Sequence, residues 1–279
     1  MADKNTSDTN KEVIESVVDS EAFSNIVNPP TTVIGNALSD LLNIAFGHSL
    51  HEKSEKSRLK HQKRIEEFSK KLNENVSAIP EEHRIPPKES VVGPALEATK
   101  YYFEEDEIRE MFEKLITNSM DDRQATKVHP SFTEIIKQMS PLDAQNLKLF
   151  KKEMQLPIVQ FIARSNKDYI PIATNIFISN PSCQDINLQA VSISALCRIG
   201  LLEVKYDRYI TNETLYKPFL SLPLYKETEN QLKTVNAVSK TLNENNRTLE
   251  CKKGIVQLTP IGQSFISVCL NPLPKKSNP

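Results

Sequence analysis

From Gly93 to Gln145 the chain reads GPALEATKYYFEEDEIREMFEKLITNSMDDRQATKVHPSFTEIIKQMSPLDAQ, and its apolar spacing fits a succession of capped helices. Val91, Val92, Ala95, Leu96, Thr99 and Tyr102 recur at three- and four-residue steps, which is one stripe of a 3.6-residue period. The acids Glu104 to Glu107 open a second helix, where free backbone N–H groups and the positive dipole end favour carboxylates. Ile108, Met111, Phe112, Leu115, Ile116 and Met120 form its apolar face. Glu105 with Arg109, and Glu110 with Lys114, stand at i,i+4 with the acid first, the order that suits a solvated face. After a polar break at 118–124, Pro130 is placed in the first turn of a third helix with Phe132, Ile135, Ile136 and Met139 buried. Ser140-Pro141-Leu142-Asp143 then starts a fourth, close to a capping box.

Composition narrows the classes. Six glycines in 279 residues favour helix, and no GxG pair is present to cradle a phosphate. A net charge of −1 gives the whole chain no polyanion-binding signature. Cys183, Cys197, Cys251 and Cys269 are scattered without a CxxC, which fits free thiols in a reducing compartment better than disulfides or zinc. The N-terminus is acidic and polar, unlike a signal peptide, and no apolar run approaches the roughly 20 residues that span a bilayer. A cytoplasmic location is the expectation.

Residues 1–28 read as a disordered tail with a short helix, and 29–156 as a helical domain around the 93–145 core. Within it, Val33 to Phe46 forms a mostly apolar helix, either a core element or a peripheral membrane or partner contact. A charged helix follows from Glu52 to Val76, with a narrow seam of Leu59, Ile65, Phe68, Leu72 and Val76. The helix begun at Pro141 is expected to run through Met154 to Leu156-Pro157, and the apolar runs of 158–180 are open between strand and helix. Residues 157–270 read as an α+β domain. It has a helix at Asn187–Ile199 ended by Gly200, a strand at Leu201–Tyr206, an inserted helix at 224–242, and a hairpin at 249–258 turning on Lys252-Lys253-Gly254. A helix capped by Thr259-Pro260 closes it, and 271–279 is a flexible tail. The fold class is therefore mainly α (α+β), a multi-helical N-terminal part with a C-terminal winged-helix-like module.

The segments EATKYYFEEDEIREMFEKLITNSMD and VHPSFTEIIKQMSPLDAQ resemble the Abi-alpha (abortive infection alpha) family of bacterial proteins, a domain family of unknown function. ISALCRIGLLEV and IVQLTPIGQSFISVC are similar to its closing segments, and IPEEHRIPP to the loop leading into its central helices. The resemblance implies a role in defence against bacteriophage, in which the infected cell stops growing before the phage multiplies. It transfers no catalytic residue, cofactor or metal ligand.

Candidate chemistry in the residues is sparse. His48 and His51, at i,i+3 and followed by Glu52 and Glu55, have the spacing to share a metal, but no HExxH accompanies them and surface histidines are the preferred reading. His129 beside Ser131 is a candidate nucleophile–base pair and, more simply, a helix start. Glu97, Tyr101 and the acids at 104–107 offer a binding edge, although helix-dipole carboxylates already explain the acids. Arg198, Lys252 and Lys253 are the bases a DNA-reading module would use, yet the 187–199 helix carries Arg198 as its only base. The resemblance, with no catalytic constellation beside it, implies a non-enzymatic phage-defence effector that acts by binding a protein partner, itself or a host target. The alternatives are a winged-helix DNA-binding regulator and a hydrolase or nuclease toxin built on His129.

Overall fold

A computed structural model describes residues 55–85, 89–241 and 246–272. The readings for 1–28, the 33–46 helix, the His48 and His51 pair and most of the 271–279 tail fall outside the described residues. Contacts divide the chain into two units, Met1–Pro141 with Ser264–Pro279, and Leu142–Gln263. The class is α+β, helices with one four-stranded antiparallel sheet.

In the first unit, α1 (Glu55–Ser77), α2 (Glu89–Thr99), α3 (Asp106–Ser119), the single turn α4 (Asp122–Ala125) and α5 (Phe132–Lys137) follow in order. α3 is the centre, packed against α1, α2, α5 and a closing π-helix at Ile266–Leu270. Its apolar residues Ile108, Met111, Phe112, Leu115 and Ile116 are all buried, and Phe68 meets Phe103 edge to face at 5.9 Å. The polar side of α3 departs from the solvated face expected from sequence. Arg109, Glu113, Thr117, Asn118 and Ser119 are buried as well. Each hydroxyl turns back on its own helix, Thr117 to the Glu113 carbonyl at 2.8 Å and Ser119 to that of Ile116 at 2.6 Å. Arg109 pairs with Asp106 at 2.7 Å and donates to the Phe103 carbonyl at 2.6 Å, rather than reaching Glu105. Glu110 and Lys114 do pair, at 2.7 Å. Pro130 lies just ahead of α5 rather than in its first turn, because Ser131 occupies the cap position.

The second unit begins with α6 (Pro141–Leu149), which stops short of the Met154 expected from sequence. The 155–176 region is extended: β1 (Gln155–Arg164) and β2 (Tyr169–Ile176) settle the open choice in favour of strands. Pro157 sits within β1 because β2 pairs only from Val159 onward, so no ladder bond is asked of Pro157 on that side. Then come α7 (Ile186–Arg198), β3 (Leu202–Lys205), a 3₁₀ turn at Glu213–Tyr216, α8 (Lys217–Leu220) and α9 (Pro223–Thr241). The last elements are β4 (Thr248–Leu258) and α10 (Pro260–Phe265), which runs across the unit boundary.

The sheet order is β2-β1-β4-β3. The hairpin expected at 249–258 is absent. Lys252, Lys253 and Gly254 instead sit mid-strand in β4, paired with Gln160, Val159 and Ile158 of β1. A run of β-branched and apolar residues on each side is long enough for one continuous strand, and Gly254 serves close approach rather than a turn. A Cβ there would lie 2.6 Å from the Tyr206 ring and 2.7 Å from the Lys205 carbonyl oxygen. α7 begins on the Asp185 side chain, which accepts from the N–H groups of Asn187 and Leu188. It ends at Gly200, whose φ is +82°, with Leu201 N–H bonded to the Leu196 carbonyl at 3.0 Å, the Schellman arrangement. Its outer face is mixed, with Leu188 and Val191 exposed beside Asn187, Ser194 and Arg198.

Candidate functional site

Strand alternation sends consecutive side chains of β4 to opposite faces of the sheet, and the lysines at its centre meet different tyrosines. Lys252 Nζ lies 5.9 Å from the ring centroids of both Tyr169 and Tyr206. Lys253 Nζ lies 5.5 Å from the Tyr209 ring and 5.7 Å from that of Tyr216. These distances fall within the reach of cation–π attraction.

On the Lys253 face, Val159, Phe161, Ile176, Tyr216 and Phe219 form a buried cluster, with Cys251 and Leu249 of β4 packed against it. Tyr216 is fixed at both ends of its hydroxyl, which donates to the Gly254 carbonyl at 2.8 Å and accepts from the Ile210 N–H at 2.9 Å. Asn212 caps the 3₁₀ turn by accepting from the Thr214 N–H at 3.2 Å, which sets Glu213 beside the strand. The Lys253 ammonium donates to Glu213 Oε1 at 2.7 Å. That hydrogen bond holds the Glu213 carboxyl below its ordinary range and Lys253 above its own.

Between these walls opens a cavity of about 290 Å³, lined by Glu213, Tyr216, Lys217, Leu220, Cys251 and Lys253. Burial pushes the Cys251 thiol up to about 11, so at neutral pH it is a protonated, apolar wall and not a nucleophile. The cavity therefore has cationic groups and an apolar floor suited to holding a ligand, without a thiolate to attack one.

The other sequence candidates lie elsewhere. Glu97 and Tyr101 are neighbours at the end of α2, joined through Lys100, which is 3.7 Å from Glu97 Oε1 and 4.9 Å from the exposed Tyr101 ring. His129 and Ser131 do approach, at 2.7 Å, but Ser131 N–H also donates to His129 Nδ1 at 3.1 Å. With that nitrogen accepting from Ser131, the pair forms a local turn that starts α5. Arg198 is exposed in the last turn of α7. Among the described residues no group of three or more His, Cys, Asp or Glu gathers to hold a metal, and no helix is long and apolar enough to cross a membrane.

Of the predicted residues, only Lys253 reaches the cavity. Glu213, Tyr216, Lys217, Leu220 and Cys251 were not singled out from sequence, because the 3₁₀ turn meets β4 only through the sheet register. The available local signal was the Asn212–Thr214 cap followed by Pro218, which marks an ordered turn without showing what it faces.

Comparison with curated proteins and with solved structures finds no match. A sequence model of the abortive infection alpha family matches residues 60–269, across both structural units and the cavity. With most of its length matched, this chain belongs to the abortive infection alpha family.

Proposed function

We propose that the protein is a bacterial phage-defence effector of the abortive infection type, acting in the cytoplasm by binding a protein partner, a further copy of itself or a host target. The family match over residues 60–269 carries this reading. The state of the reactive side chains supports binding over catalysis. Cys251 is held as a thiol by burial, and His129 accepts from Ser131, the residue at the start of α5. The winged-helix likeness of the second unit belongs to the same proposal, with α7 and β3 followed by the inserted α9 and then β4.

Expression in a phage-sensitive bacterium tests it. Protected cultures should survive at low phage multiplicity and collapse without releasing phage at high multiplicity, and plaque counts should fall. Unchanged counts across a broad phage panel overturn the reading. Salt-dependent duplex binding that disappears when Arg198, Lys252 and Lys253 become Ala would instead move it to a DNA-binding regulator.

A further inference from the structure

The cavity of the second unit has a definite chemistry. Its charged lining consists of Lys217, Lys253 and Glu213, two cations against one anion. Lys253 is already bonded to Glu213 at 2.7 Å, whereas among the described residues no hydrogen bond or ion pair holds the exposed Lys217. The rest of the lining is apolar or aromatic. Tyr216 is buried and anchored, Cys251 is half-buried, and Leu220 stands at the rim with 46% of its surface exposed. A volume near 290 Å³ is at the small end of ligand pockets, enough for a single ring or short chain with one charged head. Lys217 also favours the ionised form of Glu213, and with two cations against that one carboxylate an added anion brings the charges into balance.

We propose that this cavity binds a small organic anion, its charged head between Lys217 and Lys253 and its apolar body against Tyr216, Leu220 and Cys251. The ligand class joins two requirements that one site imposes: a carboxylate or phosphate ester for the ammonium groups, and a compact apolar part for the floor. A neutral or cationic analogue lacks the first, and a bare inorganic anion lacks the second. Occupation also competes for Lys253 and so weakens its bond to Glu213, coupling ligand binding to the 3₁₀ turn. The inference rests on the reading of the protein as a binder rather than a catalyst.

Calorimetric titration of the full chain with benzoate, phenyl phosphate, inorganic phosphate, benzyl alcohol and benzylamine tests the class. Ligands of about ten heavy atoms at ordinary efficiency bind in the millimolar range. Benzoate or phenyl phosphate should bind at least about tenfold more tightly than benzyl alcohol or benzylamine, since the charge interaction is worth one decade or more. Preference between the two anions identifies the head group. Lys217→Glu, an exposed change that leaves the walls intact, should weaken anion binding about tenfold, and Glu213→Gln should strengthen it. Cys251→Phe, which fills the cavity, should abolish it; if that variant does not fold, Leu220→Trp at the exposed rim serves the same end. Equal binding of benzylamine, anion binding indifferent to Lys217→Glu, or absence of anion binding at millimolar concentration overturns the assignment. Plaque counts are scored separately. Anion binding without phage protection removes the defence reading and leaves the site standing; protection without anion binding does the reverse.

Discussion

The guanidinium Nε of Arg109 lies 3.7 Å from Oε1 of Glu113, one turn along α3, and both side chains are buried. Burial lifts the Glu113 carboxyl to about 7, against the downward pull of Lys71 and Arg109. In the unfolded chain the same group titrates near 4.5. Between those values the folded state holds the extra proton, so stability is fullest below the lower one and falls as pH rises through the window. The loss is on the order of 3 kcal/mol. Urea unfolding across this pH range should show it, and Glu113→Gln, neutral at every pH, should flatten the slope. Parallel curves for the two proteins would refute the assignment.

Glycines of the second unit separate two kinds of cost. Gly200 has open space around an added Cβ but a φ of +82°, so Gly200→Ala should cost about 1 kcal/mol of backbone strain. At Gly262 the Cβ would stand 2.1 Å from the Leu201 carbonyl oxygen, where α10 approaches the end of α7. Gly262→Ala must displace backbone and should cost more, roughly 2–4 kcal/mol. Thermal unfolding of the two variants checks the ranking, and a reversed order contradicts it.

Asn118 on α3 donates to the Val268 carbonyl at 2.7 Å, and Lys114 to that of Leu270 at 2.9 Å, satisfying acceptors of the terminal π-helix. Asn118→Leu keeps the volume and leaves the Val268 acceptor without that donor, at a cost of about 1–3 kcal/mol. The expected sign is faster proteolysis near the C-terminus together with a lower unfolding midpoint. An unchanged midpoint would mean that water replaces the bond at no cost.

Asn175 in β2 adopts a φ of +54°, and its N–H donates to the Tyr206 hydroxyl at 2.9 Å. Asn175→Gly should be tolerated, since glycine takes that conformation freely, while Asn175→Val should destabilise strongly. Tyr206→Phe removes the acceptor and should cost about 1–2 kcal/mol. Denaturation midpoints should fall from Asn175→Gly through Tyr206→Phe to Asn175→Val; a stable Asn175→Val protein would refute the role of the positive φ.

Local chemistry made much of the fold legible. α3 was readable because its apolar residues recur at 3.6, and α7 because an apolar run from Asn187 ends at Gly200, while its Asp185 cap emerged from the structure. β3 was readable from simple alternation over Leu202–Lys205. Elements whose character depends on neighbours were less so. The segments 155–164 and 169–176 carry apolar runs that suit a strand or a buried helix equally, and only their mutual pairing decides. The expected hairpin failed for the same reason: a glycine after two lysines signals a turn locally, but the β1 ladder extends through all three residues.

By itself, then, the sequence determined the succession of α2, α3, α5 and α6 and the apolar stripes that they bury. Each depends on spacing within a few turns of chain. Tertiary structure alone decided that α3 is enclosed on its polar side, that Lys252 and Lys253 face opposite ways, and that Lys253 shares a cavity with Glu213, Tyr216 and Cys251. Lys253 meets Glu213 at a separation of 40 positions and Asn118 of α3 meets Val268 at 150, and the pairing of distant segments, not local periodicity, brings them together.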